Sequence, residues 1–319
     1  MMPYEKKPKV EAFVLEGGDS PIRRWEDLDT DILVKIFQSF HLFERISIFP
    51  PVCHAWLSAS SDQLLWNTLD LSIMQSNFIR TLIEPYVYVN SESDQKLTRL
   101  LEICLNLSCG NILTLIFNYN LYVNDNQLTY TAQRCPRLRR LVMPVWNKIS
   151  RTEICRAIHI WKDLESLTMP SIKNPASVIE QIGRSCRNFA ELKIMGACDM
   201  LFASALISFL PNLRVLSVRC TVLSKPALVI ILEGLKELEE LNISHCVITQ
   251  DPPPAPMRVL TKLDESILER ASKLCTFLTC TTDSCIMCQR ARHDEGDMRW
   301  SKYGDGDLWK VDEVKSLEI

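Results

Sequence analysis

The sequence predicts an α/β fold: a small helical module, then an array of strand–helix repeats, then an irregular C-terminal cap. Two observations support this prediction. An apolar motif of the form L-x-x-L-x-L, with related apolar residues at the same places, recurs six times at intervals of 24 to 26 residues. Before the array, residues 25–66 combine helical apolar spacing with a break at Pro50 and Pro51. Short parallel strands are therefore expected on one face of the array and helices on the other.

Composition and charge narrow the classes of function. The 319 residues are 47% hydrophobic and 24% charged, which is typical of a globular chain with a large core. A formal net charge of −3 and a pI near 6.0 argue against charge-driven binding of nucleic acid or membranes, so protein partners are expected. Residues 1–18 contain no apolar run of signal-peptide length. We therefore expect a protein of the nucleus, the cytoplasm or both, whose thirteen cysteines remain thiols.

Residues 25–66 predict three short helices. Apolar side chains from Leu28 to Phe40 recur at helical spacing and are expected on one face, with Asp29 or Thr30 capping the helix start. A second apolar group ends at the two prolines, and a third helical stretch runs from Val52 to the end of the module. Three short helices make a marginal core, so the module gains stability by packing on a neighbour or a partner.

The order of these residues resembles the F-box. The resemblance rests on Trp25-Glu26-Asp27-Leu28, Asp31-Ile32-Leu33, Ile36-Phe37, Val52-Cys53-His54-Ala55-Trp56 and Leu65-Trp66. Asp29 departs from the general pattern, which has proline there, although plant F-box proteins often open with a similar Trp-Glu-Asp-Leu run.

What the resemblance implies is a three-helix domain that binds a Skp-type adaptor and, through it, a cullin and a RING subunit. The residues expected to bind the adaptor are Leu28, Ile32, Leu33, Ile36, Phe37, Val52, Trp56 and Trp66. A position in the core of the module is the alternative for each of them. Phe37, Trp56 and Trp66 are expected to divide between the two roles.

The repeated motif resembles the core of leucine-rich repeats. Its copies begin at Ile112, Leu138, Leu164, Phe189, Leu213 and Leu238. The resemblance implies a solenoid of about six to seven repeats, with strands on a concave face and helices on a convex face. Helical spacing between the strands predicts convex-face contacts, for example at Leu201, Ala205 and Phe209. Cysteines in register with the repeats are interpreted as small buried hydrophobes: Cys109, Cys135, Cys186 and Cys246.

Strand positions between the core leucines are the candidates for target contact. The predicted substrate-binding residues are Arg140, Lys193, Arg219, Asn242 and His245, of which Arg219 and His245 are expected just beyond the strand ends. Their chemistry is mixed, so the sequence names no ligand class beyond an unidentified protein. Solvated surface is the alternative interpretation for each of them.

The C-terminal region combines prolines, cysteines and aromatic residues. Residues 251–259 predict a proline-rich linker and residues 260–278 a helix. The final segment, with Trp300, Tyr303, Trp309 and Leu317, is expected to pack back on the end of the repeats. Cys285 and Cys288 have the spacing of a zinc knuckle, which Cys280 and His293 could complete. No second Cys-x-x-Cys pair accompanies Cys285 and Cys288. Buried or tolerated thiols, without metal or cofactor, are therefore the favoured interpretation.

The predicted organisation is a flexible tail (1–20), an F-box (21–68), leucine-rich repeats (69–250), the linker (251–259) and a cap (260–319). No phosphate-binding loop, Ser/His/Asp order or His-Glu-x-x-His motif occurs, so no active site is expected. The resemblance implies a non-catalytic substrate receptor of a Skp–cullin–F-box ubiquitin ligase. The alternatives are a stand-alone repeat scaffold and a metal- or thiol-dependent activity of the tail.

Overall fold

The computed structural model describes residues 24–80, 87–170, 175–250, 258–294 and 313–317. The predicted N-terminal tail, most of the predicted linker, and Trp300, Tyr303 and Trp309 lie outside the described residues. In the described ranges, no helix combines the length and the apolar character needed to cross a membrane.

Twelve α-helices occur in these ranges, and a 3-10 turn lies near each end. The helices are α1 (Thr30–Gln38), α2 (Leu42–Ser47), α3 (His54–Ser60), α4 (Gln63–Trp66), α5 (Ser91–Leu107), α6 (Asp125–Arg134), α7 (Arg151–Ile160), α8 (Pro175–Ser185), α9 (Met200–Phe209), α10 (Lys225–Gly234), α11 (Glu265–Ala271) and α12 (Ile286–His293). The 3-10 turns span Trp25–Asp27 and Lys315–Leu317.

The described strands are short, as expected for a repeat array. They are β1 (Thr68–Leu71), β2 (Ile79–Arg80), β3 (Val87–Tyr88), β4 (Thr114–Phe117), β5 (Tyr122–Asn124), β6 (Arg140–Val142), β7 (Trp146–Lys148), β8 (Ser166–Met169), β9 (Glu191–Ile194), β10 (Val215–Ser217), β11 (Val222–Ser224), β12 (Glu240–Asn242), β13 (Val247–Thr249) and β14 (Thr276–Leu278).

Four helices, α1 to α4, form the N-terminal module, because the third predicted helical stretch is divided into α3 and α4. Phe37 stacks on Phe49 with ring centroids 4.0 Å apart, and Trp56 meets both rings edge-on. On α1, Leu33 and Phe37 point inward, whereas Ile32 lies one residue earlier and is exposed. Adjacent helical residues are separated by about 100° of rotation, so the single apolar face expected from the sequence is in fact two neighbouring stripes.

Eight parallel strands form the main sheet in the order β1-β4-β6-β8-β9-β10-β12-β14. Their register aligns the second apolar position of each motif in one ladder: Leu69, Leu115, Leu141, Leu167, Leu192, Leu216, Leu241 and Phe277. This ladder confirms the predicted solenoid and fixes its register, because one strand–helix unit cannot bury its apolar side alone.

Strands β1 and β14 extend the array beyond the six copies of the sequence motif. In β1 the first apolar position is Trp66, which the sequence also assigns to the F-box. The copy that contains β14 begins at Leu274, 36 positions after Leu238, and so falls outside the repeat period. The helix predicted over residues 260–278 is correct only over Glu265–Ala271, which form α11. Residues 276–278 form β14, which pairs with β12.

Two details of the convex face differ from expectation. On α9, Phe202 and Leu206 are buried, while Leu201 is 76% exposed, so the predicted face is shifted by one residue. Cys109 is exposed rather than buried, and it lies in the turn after α5 with a φ of 49°. One continuous core nevertheless runs from Leu33 in the module to Ile267 in α11.

Candidate functional sites

The F-box surface consists of exposed apolar side chains on residues 24–66. Ile32 and Val52, both predicted to bind the adaptor, are 45% and 52% exposed. Leu28, Ile36 and Trp56 are half-buried against the core of the module. These positions can contact a partner without any change in the fold of the chain.

Three residues predicted to bind the adaptor are instead interior. Leu33, Phe37 and Trp66 are at most 1% exposed. The indole N–H of Trp66 donates to the carbonyl of Ser60 at 2.6 Å, as a buried tryptophan requires. The expectation that these three side chains touch an adaptor is therefore corrected: they hold the module together and join it to the first strand.

Sequence reasoning missed part of this surface. Of sixteen exposed large hydrophobic side chains in the described ranges, eight lie between residues 24 and 66. The six that were not predicted as contacts are Trp25, Phe40, Phe43, Ile48, Leu57 and Leu64. A local signal was present, since the short helix α2 begins with two adjacent apolar residues that cannot both face inward.

The second candidate site is the concave face, defined here by the strand side chains that alternate with the core leucines. The register places Lys193, Ser217 and Asn242 side by side on adjacent strands. Residues 313–317 lie over them, and their 3-10 turn packs against β9. The segment comes from more than 70 positions away, since Asn242 and Glu313 are 71 residues apart.

Glu313 is the polar anchor of this segment. Its carboxylate lies 2.5 Å from the Lys193 ammonium and 3.8 Å from the Arg219 guanidinium, and all three side chains are fully buried. The Asn242 side-chain amide donates to Glu313 Oε1 at 2.9 Å. Burial lowers the pKa of Lys193 to about 8, and the nearby Glu313 carboxylate opposes that shift.

Apolar contacts complete the cover. Val314 and Leu317 are buried with Val215 of β10 in one small cluster. Lys193, Arg219 and Asn242, predicted to contact a substrate, are therefore covered by the chain itself, and that expectation is corrected. Because a strand pattern cannot reveal a cover supplied by a distant segment, only the fold shows that these positions are occupied.

The concave face remains accessible at its N-terminal end. Thr68 and Asp70 of β1 are exposed, and Thr114, Ile116 and Arg140 are half-buried. Of the predicted substrate-binding residues, Arg140 alone lies on this part of the face.

The third candidate site gathers thiols around an imidazole. Cys280, Cys285 and Cys288 lie together, as the sequence suggested, but their histidine is His245. His293 is exposed near the end of α12 and does not belong to the cluster. His245, predicted to contact a substrate, is 4% exposed and faces these thiols instead.

Comparison with known proteins assigns the family. No protein-family model matches the sequence. An F-box/LRR-repeat protein of Arabidopsis thaliana is 53% identical over 301 residues, covering 93% of this chain and 97% of the relative. The chain belongs to the plant F-box/leucine-rich-repeat family. Two further Arabidopsis thaliana proteins are also similar. A putative F-box protein is 27% identical, and the match covers 96% of this chain and 99% of that protein. F-box protein SKIP1 is 26% identical, and the match covers 70% of this chain and 79% of that protein.

Most cysteines of this F-box/leucine-rich-repeat protein belong to its core. Burial raises the pKa of Cys104, Cys135 and Cys186 to about 12 and that of Cys246 to about 11. A thiol with such a pKa stays protonated and unreactive at neutral pH. These four cysteines therefore act as small apolar side chains.

Proposed function

We propose that this protein is the substrate-recognition subunit of a Skp–cullin–F-box ubiquitin ligase. Its F-box docks on a Skp-type adaptor, which connects it to a cullin and a RING subunit. Its repeats hold the target protein. The proposal places the protein in the nucleus, the cytoplasm or both, where its thirteen cysteines, all free thiols in the structure, remain reduced.

The exposed apolar surface of the F-box carries this proposal. A soluble protein rarely concentrates large exposed hydrophobic side chains in one small module unless a partner covers them. Here Leu33 and Phe37 already pack in the core of the module, and Ile32 remains exposed on the surface of α1. The similarity to relatives named as F-box proteins supports the same role.

The receptor supplies position rather than chemistry. In such a ligase the receptor tethers a target beside an enzyme that is bound elsewhere, which raises the effective concentration of the acceptor lysine. The protein is therefore proposed to be non-catalytic. Its contribution to the rate depends on how firmly it holds the adaptor and the target.

Strands β1, β4 and β6 form the proposed target-binding surface. They carry exposed or half-buried side chains on the concave face, including Asp70, Ile116 and Arg140. An acid, a base and an apolar residue on one short surface suit a folded protein or a peptide of mixed composition. The segment 313–317 covers the opposite end of the same face.

The adaptor contact can be tested with Ile32→Glu combined with Val52→Glu. Both side chains are exposed, so the substitutions should leave the fold intact while placing two charges in the interface. Since each buried aliphatic anchor contributes about 1.5–3 kcal/mol, adaptor affinity should fall by at least roughly 100-fold. Co-purification with a Skp-type adaptor, followed by a binding titration with purified adaptor, measures the effect.

Leu201→Glu is the matched control, because Leu201 is 76% exposed and lies outside the F-box. This variant should bind the adaptor like the wild-type protein, and thermal unfolding should show all three proteins folded. A wild-type protein that captures neither adaptor nor cullin would instead favour a stand-alone repeat scaffold. Equal adaptor binding by the wild-type protein and the double variant would refute the predicted contact.

A further inference from the structure

Four side chains with soft or borderline ligand atoms converge at the C-terminal end of the solenoid. The ligand atoms of His245, Cys280, Cys285 and Cys288 all lie within 4.8 Å of one another. His245 Nδ1 is 3.3 Å from Cys288 Sγ and 3.5 Å from Cys285 Sγ, and the Cys280 and Cys288 sulfurs are 3.6 Å apart.

Three of these separations are close to the edges of a zinc tetrahedron. With Zn–S near 2.3 Å and Zn–N near 2.0–2.1 Å, tetrahedral geometry requires edges of about 3.8 Å between sulfurs and about 3.6 Å between sulfur and nitrogen. The closest three contacts already lie within a few tenths of an ångström of those values. Three thiolates and one imidazole are a recurrent ligand set of structural zinc sites.

Separate elements of the fold bring the four ligands together. His245 lies in the turn after β12, Cys280 follows β14, and Cys285 and Cys288 lie at the start of α12. The backbone N–H of His245 donates to the carbonyl of Cys280 at 2.9 Å, which ties the first two segments together. Parallel pairing of β12 with β14 fixes the positions of these two segments relative to each other along the strands.

A surrounding layer of contacts holds the loop between Cys280 and Cys285. Arg292 forms an ion pair with Asp283 and donates to the carbonyl of Thr281 at 2.7 Å. Gln289 donates to the carbonyl of Asp283 at 2.7 Å. Such outer contacts orient the ligands of metal sites.

An apolar wall shields the cluster from one side. Met287 and Ala291 of α12 are buried against Cys220 and Val247 of the last regular repeats. His245 and Cys288 are only 4% and 3% exposed. The cluster therefore lies between the final repeats and the small C-terminal cap.

We propose that His245, Cys280, Cys285 and Cys288 bind one structural zinc ion that fastens the C-terminal cap to the repeat array. The role is structural because four protein ligands fill the tetrahedron and leave no open position for water or substrate. A disulfide is the competing use of these thiols. It would join two sulfurs at about 2.05 Å and leave the third thiol and the imidazole unused.

Metal analysis of the purified full chain tests the proposal. The wild-type protein, prepared with reduced thiols, should contain one zinc ion per chain. Replacing zinc by cobalt should give the visible bands of tetrahedral cobalt and the charge-transfer intensity of three thiolates. Because the cobalt spectrum uses the wild-type protein, it remains informative even where a ligand variant fails to fold.

The ligand variants are His245→Asn, Cys285→Ser and Cys288→Ser. Asn suits position 245 because it tolerates the left-handed backbone that His245 adopts, with a φ of 60°. Each variant should lose zinc affinity by more than the roughly 10–100-fold that loss of an outer contact costs. The matched controls are Cys275→Ser and His293→Asn, exposed residues of the same region that should retain one zinc ion.

Several results would overturn the proposal. These are a wild-type protein without stoichiometric zinc, a cobalt spectrum without three thiolates, a disulfide among the three cysteines in the folded protein, zinc retained by the ligand variants, and zinc lost from the controls. Removal of zinc with a chelator should lower the melting temperature of the wild-type protein, and added zinc should restore it. An unchanged melting temperature would argue against the fastening role.

Discussion

Asp29 shows how one residue can depart from a family pattern without altering the fold. The general F-box pattern has proline there, and the structure explains why both residues fit. Asp29 is the N-cap of α1 with a φ of −56°, close to the value that a proline ring imposes. Leu28 before it is extended, with ψ of 140°, as a residue before proline must be.

Replacing Asp29 by proline should therefore be tolerated. The Asp29 side chain makes no capping hydrogen bond, so little is lost, while proline restricts the unfolded chain. We expect Asp29→Pro to leave the free energy of unfolding unchanged or to raise it by up to about 1 kcal/mol. Urea unfolding measures the difference.

Asp62→Pro is the control for this substitution. Asp62 is also an N-cap, with a similar φ of −64°, but its side chain accepts from the amide of Leu64 at 2.8 Å. Its own amide donates to the carbonyl of Ala59, a bond that proline cannot make. Asp62→Pro should therefore destabilise the protein by more than about 1 kcal/mol. Equal losses in the two variants would contradict this account of Asp29.

Histidines 245 and 293 mark the limit of local sequence reasoning at the residue scale. Spacing along the chain placed His293 near Cys288, five positions away, because neighbours in sequence are the partners that a motif can show. The observed partner, His245, is 43 residues from Cys288. Only the pairing of β12 with β14 brings it there.

At the scale of elements, the sequence predicted the strands better than the ends of the array. Each L-x-x-L-x-L copy fixes the direction of three side chains, so the core ladder follows from the pattern alone. Strand β1 was missed because Trp66 serves both the F-box and the first repeat. Strand β14 was missed because its copy of the motif begins 36 residues after the previous copy, outside the repeat interval of 24 to 26 residues. On α9 the chain offers apolar residues all round, so spacing could not decide which face is buried.

Helix packing on the convex face depends on Gly183. A methyl group there would meet the backbone carbonyl of Phe209 and its Cβ, the latter at 2.8 Å. Alanine normally stabilises a helix by about 1 kcal/mol relative to glycine. Here the clash with the end of α9 should outweigh that gain, so we expect Gly183→Ala to lower the free energy of unfolding by about 1–3 kcal/mol.

Gly234→Ala is the comparison for this prediction. A methyl group at Gly234 would meet Cδ1 and Cγ1 of Ile207, which belong to a side chain and can shift more readily than the backbone that faces Gly183. Urea unfolding should therefore show a smaller loss for Gly234→Ala than for Gly183→Ala. The packing argument fails if the order is reversed.

At the scale of the whole molecule, the C-terminal segment divides the concave face into a covered and an open part. The covered part depends on a buried cluster of one carboxylate and two cations. Breaking such a cluster by removing one partner leaves buried charge without compensation, which costs about 3–5 kcal/mol. The segment should therefore leave the sheet when that carboxylate is neutralised.

Glu313→Gln makes this change with almost no change in shape. We expect residues 313–317 and strands β9 and β10 to lose protection from hydrogen exchange, because the chain avoids the cost by releasing the segment. The effect should depend on pH. In molecules whose segment stays closed over the sheet, loss of the carboxylate lowers the pKa of the buried Lys193 below its value of about 8, so between those two values the closed variant binds fewer protons than the closed wild-type protein. Its deficit in stability should then shrink as the pH rises toward about 8.

Glu239→Gln tests whether the effect belongs to the buried cluster rather than to any lost ion pair. Glu239 pairs with Arg214 at the surface, where the two side chains are 42% and 59% exposed. Exposed pairs of this kind contribute about 0.2–1 kcal/mol, so this variant should keep the wild-type exchange pattern at every pH. If both variants exchange alike, Glu313 does not anchor the segment, and the concave face is held closed by the apolar contacts of Val314 and Leu317.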